Sequence, residues 1–230
     1  TFEADSLTLH RRHQDSLAPH ALFRLLGRWE AVAQQSLLWL RAHAADAVPD
    51  DEDRARVVKL ARDHSGSGNH AYWHNTPPLY DDDAANGQPC LVFSGASILK
   101  TRAFDAPLPQ PISIMVVAQA RGDTTIVDGL WPNSSRFELC HGYPTGWDAA
   151  PQICMTASGH SASPRDSLRG STRGTGEWHL VTAIYDHAAS KMFVDGRCEA
   201  SGHAGANALD GLSIGCDHTA VFYLPRATAE

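Results

Sequence analysis

The residues of this chain that could bind a metal ion or form disulfides are thirteen histidines, five cysteines and two acidic clusters. The cysteines show no C-x-x-C spacing, which argues against a zinc knuckle. Their number is odd, so at least one has no cysteine partner within the chain. Buried thiols and one or two disulfides in an oxidising compartment both remain open. The cysteines are Cys90, Cys140, Cys154, Cys198 and Cys216.

The acidic clusters are better candidates for a metal site than the histidines, because calcium prefers hard oxygen ligands. One cluster covers Asp81–Asp83 and the other covers Asp50–Asp53. Both clusters lie between apolar runs, so we predict loops, with an acidic, solvated loop that binds no ion as the alternative. The spacings of His10/His13 and His70/His74 allow two imidazoles to lie near each other, although helical geometry is not expected in the Gly/Asn/Pro-rich region of His70–His74. Solvated loop histidines are the alternative. The predicted calcium ligands are Asp81, Asp82, Asp83 and Asn86.

Aromatic and polar residues alternate in one loop-rich region, which is the pattern of a rim that binds carbohydrate. Stacking of a sugar needs an exposed ring, with polar side chains beside it. The alternative is that these rings pack on the protein itself. The predicted ligand rim comprises Trp131, Asn133, His141, Tyr143, Trp147 and Asp148.

The N-terminal part of the chain carries a helical pattern, and the pattern changes near residue 36. Apolar residues recur at three- and four-residue intervals and share one face, which predicts an amphipathic helix from Pro19 to Gln35. This stripe docks on a partner or packs on its own domain. We expect the polar segment before it to be extended or mobile. The predicted docking residues are Leu22, Leu25, Leu26 and Trp29.

From residue 37 onward the apolar runs are short and turn residues separate them, which predicts an all-β sandwich or barrel. Asp195-Gly196 after an apolar run predicts a two-residue hairpin. Gly170–Gly176 is rich in glycine, serine, threonine and arginine, and we predict that it forms a flexible loop. The predicted strands are Leu37–Leu40, Val57–Leu60, Leu91–Phe93, Ile112–Ala118, Thr124–Asp128, Phe137–Cys140, Ile153–Thr156, His179–Tyr185, Lys191–Val194, Arg197–Ala200 and Leu212–Ile214.

Several stretches, taken in order, resemble the concanavalin A-like lectin/glucanase superfamily in its laminin-G-like branch. The turn Asp63-His64-Ser65-Gly66-Ser67-Gly68-Asn69 is similar to the family's D-x-S-G-x-G-N pattern. The run Trp178-His179-Leu180-Val181 resembles its W-H-x-V strand. Further matches are Leu37–Ala42, Pro77–Tyr80, Asn86–Gly95, Phe193–Gly196 and Leu209–Gly215.

This resemblance implies a two-sheet antiparallel jelly-roll sandwich over residues 37–230, preceded by an N-terminal extension with the helix over residues 1–36. The family closes with a strand that pairs with the first one. Here Val221–Leu224 is followed by only Pro225–Glu230, so we expect a short closing region and an open sheet edge.

Catalysis by the family's hydrolases needs two carboxylates on one strand, in the pattern E-x-D-x-x-E. That pattern is absent, and Glu138 stands alone on its predicted strand. We therefore expect a non-catalytic binding domain for carbohydrate or protein, with glycoside hydrolysis a minor alternative. The other hypothesis is an accessory subunit of a larger, membrane-associated complex, docked through the helix and the open edge.

Net charge and hydropathy argue against two further functions, nucleic-acid binding and a transmembrane span. The formal net charge is −7, which argues against nucleic acid, because a phosphate backbone needs a basic surface. No apolar stretch is long enough for a transmembrane helix. The chain starts at Thr1, and we expect an extracellular or organelle-lumen location after removal of a targeting segment. Calcium is the one cofactor that the sequence suggests.

Overall fold

The computed structural model describes residues 2–11, 36–49, 56–85, 87–94, 96–121, 124–130, 136–141, 152–158 and 166–215. These residues form sixteen strands and one short 3-10 helix, His187–Ala189. The first eight strands are β1 (Phe2–Arg11), β2 (Ser36–Pro49), β3 (Arg56–Asp63), β4 (Ala71–Trp73), β5 (Leu79–Ala85), β6 (Gln88–Phe93), β7 (Leu99–Thr101) and β8 (Ile112–Arg121). The others are β9 (Thr124–Asp128), β10 (Glu138–His141), β11 (Gln152–Thr156), β12 (Ser167–Arg173), β13 (Thr175–Tyr185), β14 (Ser190–Val194), β15 (Arg197–Gly202) and β16 (Ser213–Ile214).

All strand ladders between these elements are antiparallel, and they build two facing sheets that do not close into a barrel. One sheet runs in the order β15-β14-β13-β8-β1, and β1 continues it to β2 and β6. The other runs β12-β11-β10-β9-β16-β7-β4-β3. Two connections join the sheets: β2 pairs with β3, and β5 pairs with both β3 and β6. The predicted all-β sandwich is therefore confirmed at this level of description.

The core lies between the two sheets and is made of the apolar residues that alternate along the strands. Tyr185 on β13 and Phe137 beside β10 meet across it, with ring centroids 4.1 Å apart. The Tyr185 hydroxyl donates a 2.7 Å hydrogen bond to the carbonyl of Glu138. Both rings are fully buried, so this contact ties the middle of one sheet to the other.

The Asp195-Gly196 hairpin forms as predicted. Asp195 has φ +50° and Gly196 has φ +79°, as a type I′ turn requires. The Asp195 carboxylate adds two contacts, accepting from the amide of Leu180 and lying 2.8 Å from the His179 Nδ1. This hairpin joins β14 to β15 at one edge of the sandwich.

Two loop predictions are wrong. Residues 170–173 belong to β12 and β13 begins at Thr175, whereas the sequence predicted a flexible loop at Gly170–Gly176. Asp81–Asp83 lie within β5, where Asp81 pairs with Cys90 of β6, although acidic side chains predicted a loop. Strand pairing supplied by a neighbour outweighs weak local propensity in both segments.

The N-terminal segment contributes a strand to the sandwich. β1 pairs with β8 along one side and with β6 and then β2 along the other. The predicted helix at Pro19–Gln35 and the closing strand at Val221–Leu224 lie outside the described residues, so both stay predictions. Within the described ranges, no helix has the length and apolar character required to cross a membrane.

Candidate functional site on the face of the second sheet

The face of the second sheet that points away from the core carries a row of directly opposed residues. Leu60 of β3 opposes Tyr72 of β4, and Tyr72 opposes Lys100 of β7. Lys100 opposes Ser213 of β16, which in turn opposes Asp128 of β9. Side chains of directly opposed residues share one face of an antiparallel sheet. The row therefore runs from an exposed end at β4 to a buried end at β9.

The buried end contains three charged groups within contact distance. The Arg136 Nε lies 3.2 Å from a carboxylate oxygen of Glu138 and 3.7 Å from one of Asp128. All three side chains are at most 5% exposed. The hydroxyl of Thr125 donates to Glu138, and the amides of Gly129 and Phe137 donate to Asp128. Asp128 thus fixes both ends of the segment that joins β9 to β10.

This cluster also acts on Tyr185 from the other side of β10. Complete burial raises the pKa of the Tyr185 hydroxyl well above its ordinary value of 10.0. The nearby Cys140, Glu138 and Asp128 raise it further. The phenol is therefore held neutral as a hydrogen-bond donor. The cluster is a structural centre, because its carboxylates contact Arg136, backbone amides and Thr125.

The exposed end has a different character. Among the described residues the large hydrophobic side chains with substantial exposure are Tyr72 at 39%, Trp73 at 45% and Leu79 at 39%. The Arg102 guanidinium lies over the Tyr72 ring, 5.7 Å from its centroid. We name the group of Leu60, Tyr72, Lys100 and Arg102 the Tyr72 surface.

The Tyr72 surface combines a flat apolar ring with hydrogen-bond donors that carry positive charge. Lys100 on β7 is directly opposite Tyr72 on β4, so the two side chains lie on the same face of the sheet. Ring and donors together suit a ligand with an apolar face and several acceptor oxygens. No acid–base pair belongs to this surface.

A tight turn between β3 and β4 sets the position of Tyr72. Asp63, 8% exposed, accepts hydrogen bonds from the Trp39 amide on β2 and from the Ser65 amide and hydroxyl. It also accepts from the Asn69 amide, and the Asn69 side chain donates to the carbonyl of Leu37. The family-like motif at Asp63–Asn69 is therefore an organiser of the turn that leads into β4.

Glycines in this turn take backbone conformations that larger residues rarely adopt. Gly66 has φ +88° and Gly68 has φ +74°. The imidazole of His70 accepts a hydrogen bond from the Asp63 amide, so this histidine contributes to the turn. His74 is exposed on the segment after β4.

The predicted ligand rim is described at one position. His141 is 3% exposed, and the backbone of Gly174 packs against its imidazole so closely that a Cβ there would lie 2.7 Å from Nδ1. The rim stays a prediction, since Trp131, Asn133, Tyr143, Trp147 and Asp148 lie outside the described residues.

The predicted calcium ligands Asp81, Asp82 and Asp83 are all exposed, and Asn86 lies outside the described residues. The Asp83 amide donates to the Asp81 side chain, and Asp82 is 3.9 Å from Arg56. In the described ranges, no group of three or more His, Cys, Asp or Glu residues is arranged to hold a metal ion. Calcium binding stays a prediction.

The docking residues Leu22, Leu25, Leu26 and Trp29 also lie outside the described residues. The accessory-subunit hypothesis therefore stays a prediction.

The residues that the sequence analysis missed are Tyr72, Lys100 and Arg102. The signal in the sequence is the aromatic pair Tyr72-Trp73 directly after a glycine-rich turn, because binding residues are disproportionately found on loops.

Comparisons with known proteins give one structural similarity. No protein-family model matches the chain, and no curated protein matches it. Domain 4 of AbnA, a GH43 extracellular arabinanase from Geobacillus stearothermophilus solved in complex with arabinotriose, superposes with a TM-score of 0.50. The two sequences are 17% identical, and the match covers 67% of this chain and 77% of that chain. At this identity the similarity supports a shared β-sandwich fold, without assigning the chain to the laminin-G-like family.

Proposed function

We propose that this chain is a non-catalytic carbohydrate-binding domain and that the Tyr72 surface is its binding site. The observation that carries the proposal is an exposed tyrosine ring flanked on one sheet face by Lys100 and Arg102. A sugar ring has an apolar C–H face that stacks on an aromatic ring, and its hydroxyl oxygens accept hydrogen bonds from cationic donors.

The structural neighbour supports the same ligand class. That domain was solved in complex with arabinotriose, and its fold is a β-sandwich like that of this chain. Arabino-oligosaccharides are therefore the first probe, followed by a wider panel of neutral and acidic oligosaccharides. Carbohydrate is preferred over a protein ligand because the surface is small and rich in donors rather than broadly apolar.

Titration calorimetry with arabinotriose and the panel tests the proposal. Tyr72→Ala removes the ring, and we expect it to weaken binding by about tenfold or more, equivalent to about 1.4 kcal/mol. Tyr72→Phe retains the ring and should bind nearly as the original chain does. Lys100→Ala should weaken binding, whereas Lys191→Ala, an exposed lysine on β14 of the other sheet, is its matched control. Equal binding by all four variants would reject this site.

The hydrolase alternative rests on Glu138, and the structure adds a second carboxylate beside it. Asp128 and Glu138 approach the same Arg136 nitrogen, but both are buried and engaged by backbone amides or Thr125. A glycosidase needs one protonated acid and one carboxylate open to the substrate. We therefore propose that the domain does not cleave its ligand. Chromatography of oligosaccharides after long incubation tests this, and shorter products lost in Glu138→Gln would contradict it.

A further inference from the structure

Two of the five cysteines stand directly opposite each other on neighbouring strands. Cys140 of β10 pairs with Cys154 of β11. The register around them is uninterrupted over four pairs, from Glu138 opposite Thr156 to His141 opposite Ile153. Because directly opposed side chains share a face, the two sulfur atoms lie on the same side of the sheet.

The separation of such positions fits a disulfide. Opposed residues in an antiparallel ladder have Cα atoms about 4.5 or about 5.5 Å apart, inside the range of roughly 4.4–6.8 Å that disulfides span. The Cβ atoms need to approach by about 1 Å or less. Both cysteines are buried, at 2% and 4% exposure, and both are thiols in this structure.

The other described cysteines lack this arrangement. Cys90 on β6 opposes Asp81, and Cys198 on β15 opposes Phe193. Cys216 lies outside the described residues. We propose that Cys140 and Cys154 form the intramolecular disulfide of this protein when it folds in the presence of a low-molecular-weight disulfide oxidant, which covalently joins β10 to β11.

The exchange balances as two successive thiolate attacks. One cysteine thiolate attacks a sulfur of the oxidant, so that a mixed disulfide forms and one small thiol leaves. The second thiolate then attacks the protein sulfur of that mixed disulfide and releases the second small thiol. The two cysteines lose two electrons and two protons, and the oxidant gains them. Since both sulfurs are buried in the folded chain, exchange takes place during folding or local opening.

Peptide mapping tests the proposal on the full chain. The protein is refolded with oxidised and reduced glutathione, remaining thiols are blocked with iodoacetamide, and chymotrypsin then cleaves the intervening segment after Trp147 without reduction. Mass spectrometry should find a peptide pair joined through Cys140 and Cys154, two hydrogen masses lighter than the separate thiol peptides. Dithiothreitol should separate the pair. Alkylation of both cysteines, or a bond from either of them to Cys198 or Cys216, would overturn the proposal.

A stability measurement supplies the second readout. The bond closes a loop of about 15 residues, so oxidation should raise the midpoint of thermal unfolding by about 5 °C or more, and dithiothreitol should abolish the rise. Cys140→Ser and Cys154→Ser should each lose both the linked peptide and the rise. Cys90→Ser, another buried cysteine, is the matched control and should keep both.

Discussion

Asp63 is a buried carboxylate whose oxygens accept hydrogen bonds from four donors. Two of these donors belong to Ser65, one is the amide of Asn69, and the fourth is the Trp39 amide on the neighbouring strand. The side chain therefore stabilises the turn and attaches it to β2 at the same time. Because the turn leads directly into the strand that carries Tyr72, Asp63 connects local stability to the proposed binding surface.

Asp63→Asn should destabilise the protein by about 2–3 kcal/mol. The amide nitrogen that replaces one oxygen cannot accept from the Asn69 amide, so a buried donor loses its partner. Denaturant unfolding measures this cost, and Asp105→Asn, at an exposed position, is the control, with a change within about 0.5 kcal/mol. Equal midpoints for the two variants would show that the turn does not depend on this carboxylate.

The carboxylate of Glu199 on β15 connects this strand to β12 by hydrogen bonds. It accepts hydrogen bonds from the amides of Ser171 and Thr172 on β12 and from the Thr172 hydroxyl at 2.6 Å. Burial raises the pKa of Glu199, but the bonds from Thr172 and Ser171 outweigh it and hold the pKa below its ordinary value of 4.5. The side chain therefore bridges the outermost strands of the two sheets.

This shift predicts a pH dependence with a defined sign. A lowered folded-state pKa stabilises the fold fully above the unfolded value of 4.5, and the effect is lost as the pH falls through the lower folded value. Glu199→Gln lacks this titration, so the difference in unfolding midpoint between the two proteins should be constant well above 4.5 and shrink below it. Thermal scans over an acidic pH series measure the difference. A constant gap across the whole series would contradict this role.

At the scale of elements, β12 depends on close approach to β15. A Cβ added at Gly170 would lie 2.5 Å from a carboxylate oxygen of Glu199 and 2.8 Å from the methyl group of Met192. Alanine here would therefore have to displace the ends of both side chains, and the φ of Gly170 is not in the left-handed region. The approach lets Glu199 satisfy backbone amides that an edge strand otherwise exposes.

Gly170→Ala should displace Glu199 and lower the free energy of unfolding by about 1–3 kcal/mol. The cost should be smaller in a Glu199→Ala background, because part of the clash is then gone, and a double-mutant cycle measures this coupling. Without a clash, alanine would stabilise a strand relative to glycine. A Gly170→Ala protein that is more stable than the original chain would therefore contradict the packing described here.

The elements that the sequence predicts well are those with a strong local pattern. Thr124–Asp128 matches its strand at both ends, and the Asp195-Gly196 turn forms because both positions tolerate positive φ. The three-residue strands β4 and β7 are too short to show alternation, so pairing with neighbours alone defines them. β12 contains Gly170, whose low strand propensity is offset by the hydrogen bonds that the neighbouring Ser171 and Thr172 donate to Glu199.

The site was less predictable than the fold, because it also depends on strand pairing that no local pattern in the sequence shows. Tyr72, Lys100 and Arg102 come from separate segments of the chain, and their proximity depends on the pairing of two very short strands. The charged cluster was also hidden, because Asp128 and Glu138 come together through the pairing of β9 with β10. Local sequence windows carry no information on such pairings.

For the whole molecule, the second sheet presents two kinds of surface on its outward face. Over β9 to β11 that face is buried, and it carries Glu138, Cys140, Cys154 and Thr156. Over β3, β4 and β7 it is open, with Tyr72 exposed. A ligand therefore has access to the β4 end of the sheet, while the β10 end serves stability. The sandwich thus separates a buried support from the proposed binding face.

The most direct measurement is mapping of a bound oligosaccharide by NMR. Adding arabinotriose or the best sugar from the panel to the isotope-labelled chain should shift amide signals of β3, β4 and β7, with Tyr72 and Lys100 among the largest changes. Amides of β14 and β15 on the other sheet should stay unchanged. Shifts confined to other strands, or no shift with any sugar while the spectrum shows a folded protein, would contradict the account.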